Sequence, residues 1–500
     1  MFSHATFTLR LALALAALAS VSRADTCSDV VALGGIEVVT NRLSLEYIRE
    51  QRQYWSRAAG DMKPSCLLYP QTTDQLAAIM SILRDNNETF AVKSGGHNAN
   101  NHFSSIDGGP LISTARLNQV TLDTDAETVR VGPGNRWENV VVALEGTGYT
   151  AVGARIGNVG VGGFVLGGGL SFMSTQYGWA ANSVLEYELV LPNATVISVT
   201  DSTHPDLFRA LKGGGNAYGV VASFLLQAYP QGEIWGGVLF YLSTPSTDAA
   251  MLRAIRDFTE HYPDEKAAVI PTAILAGAGV LNLWVVFAYY NGPEPPAGTF
   301  DNFTAIGPFA NTCRRQSYHQ LLTSNNFGVL EDMVYHIGTE TMPLPTAGNV
   351  SVLDSIHEHW RAVRADVMFV PGMTSNIAYQ PFPKGLARRA REKGGDLLDF
   401  DDSVDRIILQ VSLSHTFDTS TSRMQDAVRR GFVGMRERVL EATQQGRLPE
   451  AYLPLFMNDA FYDQDYAGRL RPEMAELAAR VREDVDPRGM FRDRTGGFNL

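Results

Sequence analysis

The sequence predicts an α+β protein in two parts: a cofactor-binding region, then a domain whose antiparallel sheet is covered by helices. Three observations carry that expectation. Two glycine-rich segments, Phe90 to Asn98 and Gly153 to Gly169, interrupt short strand and helix patterns in the N-terminal part, and eight of the seventeen residues in the second are Gly. From Ile234 the texture changes to longer strand-like runs at Val238–Tyr241, Val280–Tyr290 and Arg406–Leu413, with helical runs such as Leu252–Tyr262 and Met424–Ala442 between them. A chain of 500 residues also exceeds what one simple core holds, so more than one domain is expected.

The elements follow in chain order. Leu11 to Val21 is small and apolar apart from Ser20, follows Arg10, and leads to Ser22-Arg23-Ala24. That is the anatomy of a secretory signal peptide over residues 1–24; the run is too short for a membrane span. Sequons at Asn87, Asn193, Asn302 and Asn349 agree with a secreted glycoprotein, although each could arise by chance. Cys27, Cys66 and Cys313 are an odd set, so at least one is unpaired. Cys27 and Cys66 flank the first helical segment, and a disulfide between them is the expectation, with three buried thiols as the alternative. Residues 25–60 read as partly helical, with Leu43, Tyr47 and Ile48 on one face. Leu67–Tyr69 is a strand, Thr72 opens a helix with Gln75 as its capping-box partner, and Phe90–Val92 is the next strand. This β-α-β unit feeds the first glycine loop. Trp137, Val140, Val141 and Leu144 form a helical stripe ended by Gly146, residues 185–199 form a hairpin about Pro192-Asn193, and Asp206–Leu211 is a short helix. The expected organisation is a cofactor region over 25–232, a substrate domain over 233–454, and a last segment, 455–500, that returns to the first.

Composition narrows the function. A net charge of −12 without a Lys/Arg run argues against nucleic acid as a partner. Each Gly inside an element costs roughly 0.5–1 kcal/mol relative to Ala, so the two segments must repay it, and main-chain N–H groups at such turns suit a diphosphate. The spacing is not a Rossmann fingerprint: after Gly160-Val161-Gly162 come Gly163 and Phe164, then Val165 in the third glycine's place. Walker, G-x-S-x-G and HExxH motifs are absent. The His357-Glu358-His359 run does not set both His on one helix face, so no metal site is expected.

Val92-Lys93-Ser94-Gly95-Gly96-His97, the run Gly160 to Gly169, and Asp206 to Val221 together resemble the FAD-binding signature of the vanillyl-alcohol-oxidase superfamily. Within it the chain resembles the berberine-bridge-enzyme-like branch, near secreted fungal oxidoreductases. Asp486-Pro487, Phe491 and Gly496-Gly497-Phe498 are similar to that branch as well. The resemblance implies a two-part PCMH-type FAD domain, and FAD bonded covalently through His97. It implies that Lys93, Ser94, Gly95, Gly96, Asn98, Gly157, Val159, Gly160, Gly162, Gly163, Gly219, Val221 and Asn458 surround the cofactor. Ile156 stands where some relatives carry a second, cysteinyl link, so a single bond is expected. Val159 matches the position that controls oxygen access, as in the oxidases. The family's catalytic Tyr is replaced by Phe456. A base must still reach the substrate proton, and Gln410, Ser412 and Tyr379 are the expected catalytic set, with Gln380, His415, Asp459 and Tyr462 as further candidates. The implied protein is a secreted monomeric oxidase that uses molecular oxygen on an alcohol-type carbon of a secondary-metabolite intermediate. An oligosaccharide oxidase, or a dehydrogenase or cyclase with a partly structural flavin, are the alternatives.

Overall fold

A computed structural model describes residues 25–500; the signal-peptide reading of 1–24 lies outside the described residues. The first sheet is mixed, with strands Glu37–Val39, Leu67–Tyr69, Leu111–Ser113 and Ala91–Lys93 in that spatial order. The β-α-β elements form as expected, but their strands are not neighbours. Leu111–Ser113 inserts between them, parallel to both. Helix Thr73–Asn86 buries Leu76, Ile79, Met80 and Leu83 on one face. Thr72 Oγ1 accepts from Gln75 N at 3.2 Å, while the Gln75 carboxamide accepts from Gln71 N, one residue before the expected partner, at 2.7 Å. Cys27 and Cys66 are disulfide-bonded, Cα to Cα 6.0 Å, tying helix Thr26–Leu33 to the sheet; Cys313 is a free thiol. Leu43 departs from expectation. It precedes helix Leu45–Arg52 and is 85% exposed, whereas Tyr47 is buried.

The second sheet is antiparallel, ordered Val120–Asp123, Thr128–Val131, Val220–Gln227, Val184–Val190, Val196–Val199. Its last two strands are the expected hairpin. Helix Trp137–Leu144 buries Trp137, Val140 and Leu144 against this sheet's core, which also takes Tyr187, Leu189 and Phe224, and turns Val141 to a cluster with Tyr289 and Tyr318.

The third sheet positions the site. Its antiparallel strands run Ala310–Asn311, Ile234–Leu242, Leu281–Tyr290, Ala267–Ala276, Thr374–Phe382, Arg406–His415 and Val334–Pro343 across the molecule, with Arg314–Gln316 also paired to Ile234–Leu242. Alternation along each strand sends successive side chains to opposite faces. Ile407, Leu409, Val411 and Leu413 pack beneath helices Pro245–Glu260, Ser351–Ala365 and Thr421–Gln444. Gln410 and Ser412 therefore face the other way, toward the cofactor region.

The last segment crosses back. Gln464 bonds both polar atoms of Thr339 on the sheet's edge strand, accepting from N at 3.1 Å and donating to O at 2.8 Å. Arg469 meets the buried carboxylate of Glu340. Beyond it, helix Pro472–Val485 lies against helix Pro205–Ala210, and Phe90 N donates to Arg494 O at 2.9 Å.

Candidate active site

The two glycine-rich segments touch backbone to backbone. A Cβ on Gly95 would stand 2.4 Å from Gly160 Cα, and one on Gly160 would stand 2.3 Å from Gly95 N. No side chain fits at either position, which is the local reason for Gly in both. Ser94 Oγ donates to Pro133 O at 2.5 Å and accepts from Gly162 N at 3.1 Å. Arg136 clamps the pair. Its Nη1 donates to Asn158 O at 2.5 Å, and its Nη2 donates to Gly95 O at 2.9 Å and Gln53 O at 2.8 Å.

Among the described residues, the main-chain N–H groups of Gly95, Gly96, His97 and Asn98 donate to no protein acceptor. Successive free amides of this kind form an anion-binding concavity. His97 stacks on Trp55 with centroids 4.5 Å apart, and Trp55 stacks on Tyr335 at 4.3 Å. His97 Nε2 is buried with no hydrogen-bond partner. Burial, helped by the charge of Arg136 and opposed by the Asn158 carboxamide, pushes the imidazole down to about 4. The ring is therefore neutral and nucleophilic at ordinary pH. A buried ring nitrogen without a partner is costly, and beside a row of free amides it fits a group bearing both a diphosphate and an electrophilic ring, as FAD does.

The other expected cofactor residues divide. Asn458 locks the second segment, donating from Nδ2 to Gly163 O at 3.1 Å and accepting at Oδ1 from Gly169 N at 3.0 Å. Gly163 is exposed, with nothing within 4 Å of a Cβ there. Gly162 lies against Ser94, and Val159 is half-buried beside Gly160. The polar groups of Gly157 are spent on the protein: its N donates to Leu322 O at 3.3 Å and its O accepts from Glu138 N at 2.9 Å. Gly219 has φ +148°, and a Cβ there would meet Val190 O at 2.5 Å. The Val221 side chain is in the core of the cofactor region. Lys93 needs a correction: its ammonium does not face a ligand but meets Glu50 at 2.7 Å beneath the loop.

The expected catalytic set also divides. Tyr379 is on the wrong face of the sheet. It is fully buried under the helices, its hydroxyl 3.1 Å from His357 Nδ1, whose Nε2 lies 3.7 Å from Asp248. The period-two alternation that sends Gln380 toward the cofactor sends Tyr379 away. His415 shares that far face, its Nε2 3.1 Å from His336 Nε2. Tyr462 is exposed and bonded to Arg429. Phe456 stacks on Trp179 at 5.2 Å in an apolar core, where a hydroxyl would have no role.

What remains is one polar cluster, Arg155, Gln380, Gln410 and Asp459. Arg155 Nη2 donates to Gln380 Oε1 at 2.5 Å, and Gln380 Nε2 donates to Asp459 Oδ2 at 2.9 Å. Gln410 Nε2 reaches Asp459 Oδ1 at 3.4 Å. Ser412 continues the same strand face, in register with Asn376. Burial raises the Asp459 carboxyl above the ordinary range, against the pull of Gln380 and Arg155. Arg136 lies outside both glycine-rich segments, and only the fold brings it to these loops; Arg155 stands within the second segment, but no local pattern shows that its side chain reaches Gln380.

The chain matches the model of an FAD-binding domain over residues 64–200. It is 40% identical over 461 residues to an uncharacterised FAD-linked oxidoreductase of Arthroderma benhamiae, covering 91% of each chain. It is 31% identical to the FAD-dependent monooxygenase FUP4 of Fusarium proliferatum, over 88% of this chain and 85% of that one. Among solved structures, berberine bridge enzyme from Eschscholzia californica superposes with TM-score 0.76 at 15% identity, over 95% of this chain and all of its own. On the free amides of the first loop, the unpaired His97 and these likenesses, the chain belongs to the FAD-linked oxidoreductases, with the α+β fold of berberine bridge enzyme.

Proposed function

We propose that the protein is a secreted FAD-linked oxidase, its flavin bonded singly and covalently through His97, that oxidises an alcohol-type carbon of a small, largely apolar metabolite and passes the electrons to oxygen as hydrogen peroxide. The observation that carries this reading is the buried, partnerless Nε2 of a neutral His97 beside four free amides. Bound there, FAD supplies the hydride acceptor and the site of reoxidation. Ile156 offers no second attachment.

The protein's own part is placement and proton transfer. Asp459 is the group best suited to take the hydroxyl proton, held by two carboxamides on adjacent strands, with burial raising its carboxyl and so making its carboxylate a stronger base. Asn458, its chain neighbour, fixes the second glycine segment at the same time. The register sets Ile270, Thr272, Ile274, Val285, Phe287 and Phe240 on the face shared with Gln380. Such a wall suits an apolar body better than a sugar chain.

Acid denaturation tests the reading. Yellow colour is expected to stay with the precipitated chain and to be lost from it in His97→Ala. Colour that leaves the wild-type chain refutes covalent attachment. An aerobic screen against apolar alcohols is expected to yield peroxide; turnover that needs an added quinone would instead make the protein a dehydrogenase.

A further inference from the structure

We propose that Arg155 and Gln380 form an anion subsite, so that the substrate carries an ionised oxygen acid, a carboxylate or acidic enol, on the body whose carbon is oxidised. This rests on the oxidase reading, since it names that enzyme's substrate class.

The backbone around Arg155 is fixed from one side. Ala154 O accepts from Tyr318 OH at 3.4 Å, Arg155 O accepts from Asn325 Nδ2 at 2.9 Å, and Gly157 N donates to Leu322 O at 3.3 Å. So held, the side chain leaves the second glycine segment and crosses to the sheet, where Nη2 meets Gln380. A guanidinium presents five N–H donors in a fixed fork. Among the described residues Gln380 takes the sole side-chain bond that Arg155 makes, and Arg155 joins no ion pair. Three other interior arginines do better: Arg256, Arg406 and Arg469 each meet a carboxylate, while Arg364 is bonded to Asn282 and stacked on Trp360. Interior guanidinium groups are normally paired, because leaving one uncompensated is expensive.

The nearest carboxylate is held off. Asp459 lies on the far side of Gln380, bonded to its Nε2 while Arg155 takes its Oε1. One carboxamide thus separates a cation from an anion that would otherwise neutralise each other. Burial lowers the guanidinium to about 10, with Asp459 and Tyr318 opposing, so it remains charged at neutral pH. Arg155 is half-buried and not sealed in the core, so its remaining donors are accessible. An oxygen acid bound there would lie on the apolar wall of Ile270, Ile274 and Phe287, with Asp459 one carboxamide away to take the proton. Bidentate oxyanion recognition is the geometry in which Arg excels. The competing occupant is the cofactor's own ring edge, where the same charge would favour the reduced flavin.

Benzoate and its neutral isostere benzamide distinguish these on the holoenzyme, titrated by calorimetry and by flavin absorbance, alongside the flavin midpoint potential. Wild type is expected to bind benzoate about tenfold or more tighter than benzamide, the step that one charge-assisted contact provides. Arg155→Gln should erase that preference, and Arg155→Lys should keep part of it. Gln380→Glu, which supplies a built-in carboxylate without shortening a side chain, should block benzoate and spare benzamide. Equal binding of the two by wild type, or a benzoate preference that survives Arg155→Gln, overturns the proposal. So does a changed midpoint potential in Arg155→Gln with benzoate binding intact, which assigns the charge to the cofactor. Calorimetry reads the subsite even if the flavin proves non-covalent, so the two readings fail separately.

Discussion

Replacing Lys93 by Met separates two views of the first glycine-rich segment. If its ammonium binds the cofactor, flavin is lost. If it supports the loop from beneath, stability is lost. The structure favours the second. The ammonium is 1% exposed and the Glu50 side chain 6%, at 2.7 Å, and Glu50 also accepts from Ser113 Oγ at 2.9 Å and Tyr69 OH at 3.2 Å. Burial pushes the Glu50 carboxyl up, but Lys93 and these donors outweigh it and hold it below the usual range. Removing one partner of a buried pair costs roughly 3–5 kcal/mol, because the other charge is stranded. Lys93→Met and Glu50→Leu should each lose about that much. The double variant strands no charge. It leaves only the hydroxyls of Ser113 and Tyr69 without their acceptor, at about 1 kcal/mol each, so it should lose about 2 kcal/mol and be more stable than either single variant. The sign with pH follows. In Lys93→Met the unpaired Glu50 takes a proton as pH falls, so that variant's deficit should shrink toward acid. Urea unfolding of all four proteins, with flavin absorbance read on each folded sample, measures this. Additive single losses would refute the reasoning, as would a Lys93→Met protein that keeps its stability and loses its flavin.

Gly95→Ala drives a methyl into the Gly160 backbone at 2.4 Å; a loss of roughly 1–3 kcal/mol and lower flavin content are expected, checked by thermal melting and the ratio of visible to ultraviolet absorbance. Asp459→Asn should retain flavin yet lower kcat/KM by roughly 10²–10⁴-fold on any substrate that the peroxide screen yields. Because burial raises this carboxyl, the wild-type acid limb should lie above the ordinary aspartate value near 3.9 and vanish in the variant. The His336–His415 pair makes the fold acid-sensitive. Burial, then the neighbouring His415 and Arg429, lower His336 to about 3, so the unfolded chain binds the proton first and stability is lost as pH falls from 6.5. The loss is up to roughly 5 kcal/mol at about 1.4 kcal/mol per pH unit. His336→Gln should flatten that slope in urea melts taken from pH 7 to 4.

Local signals made much of this legible in the sequence. The capping Thr72, the stripe from Trp137 to Leu144 and the Pro192-Asn193 hairpin act over a few residues, and each forms where its pattern stands. The glycine loops were legible because close backbone approach leaves few substitutes at Gly95 and Gly160. Strand order was not. Leu111–Ser113 enters between two earlier strands through pairings that no local pattern encodes. Side-chain facing was only half legible. Two residues apart in one strand, Gln410 and Ser412 must share a face, but Tyr379, in a strand buried on both faces, has no polar–apolar alternation to declare its direction. Lys93 was misplaced for a related reason: a motif records the residue type, and the Glu50 that engages it lies in a helix outside the motif.

The last segment explains why the polar cluster can exist between the second glycine-rich segment and the third sheet. Asn458 and Asp459 are adjacent, yet one fastens the glycine segment of the cofactor region and the other enters the carboxamides of the sheet. Two neighbouring residues can hold both bodies only if the backbone beyond them is itself pinned. Gln464 does this by completing the edge strand at Thr339, and Arg469 by meeting Glu340, a buried carboxylate whose other cation, Arg436, lies farther off at 3.7 Å. Each contact offsets a polar group that the sheet alone leaves unsatisfied, so the return of the chain is driven by the third sheet as well as by apolar burial of helix Pro472–Val485. The geometry of Asp459 toward Arg155 is thus set by contacts well away from the cofactor. Loosening Glu340–Arg469 should disturb turnover before it disturbs flavin retention, because the loop carrying His97 is held instead by Arg136 and by Gly160.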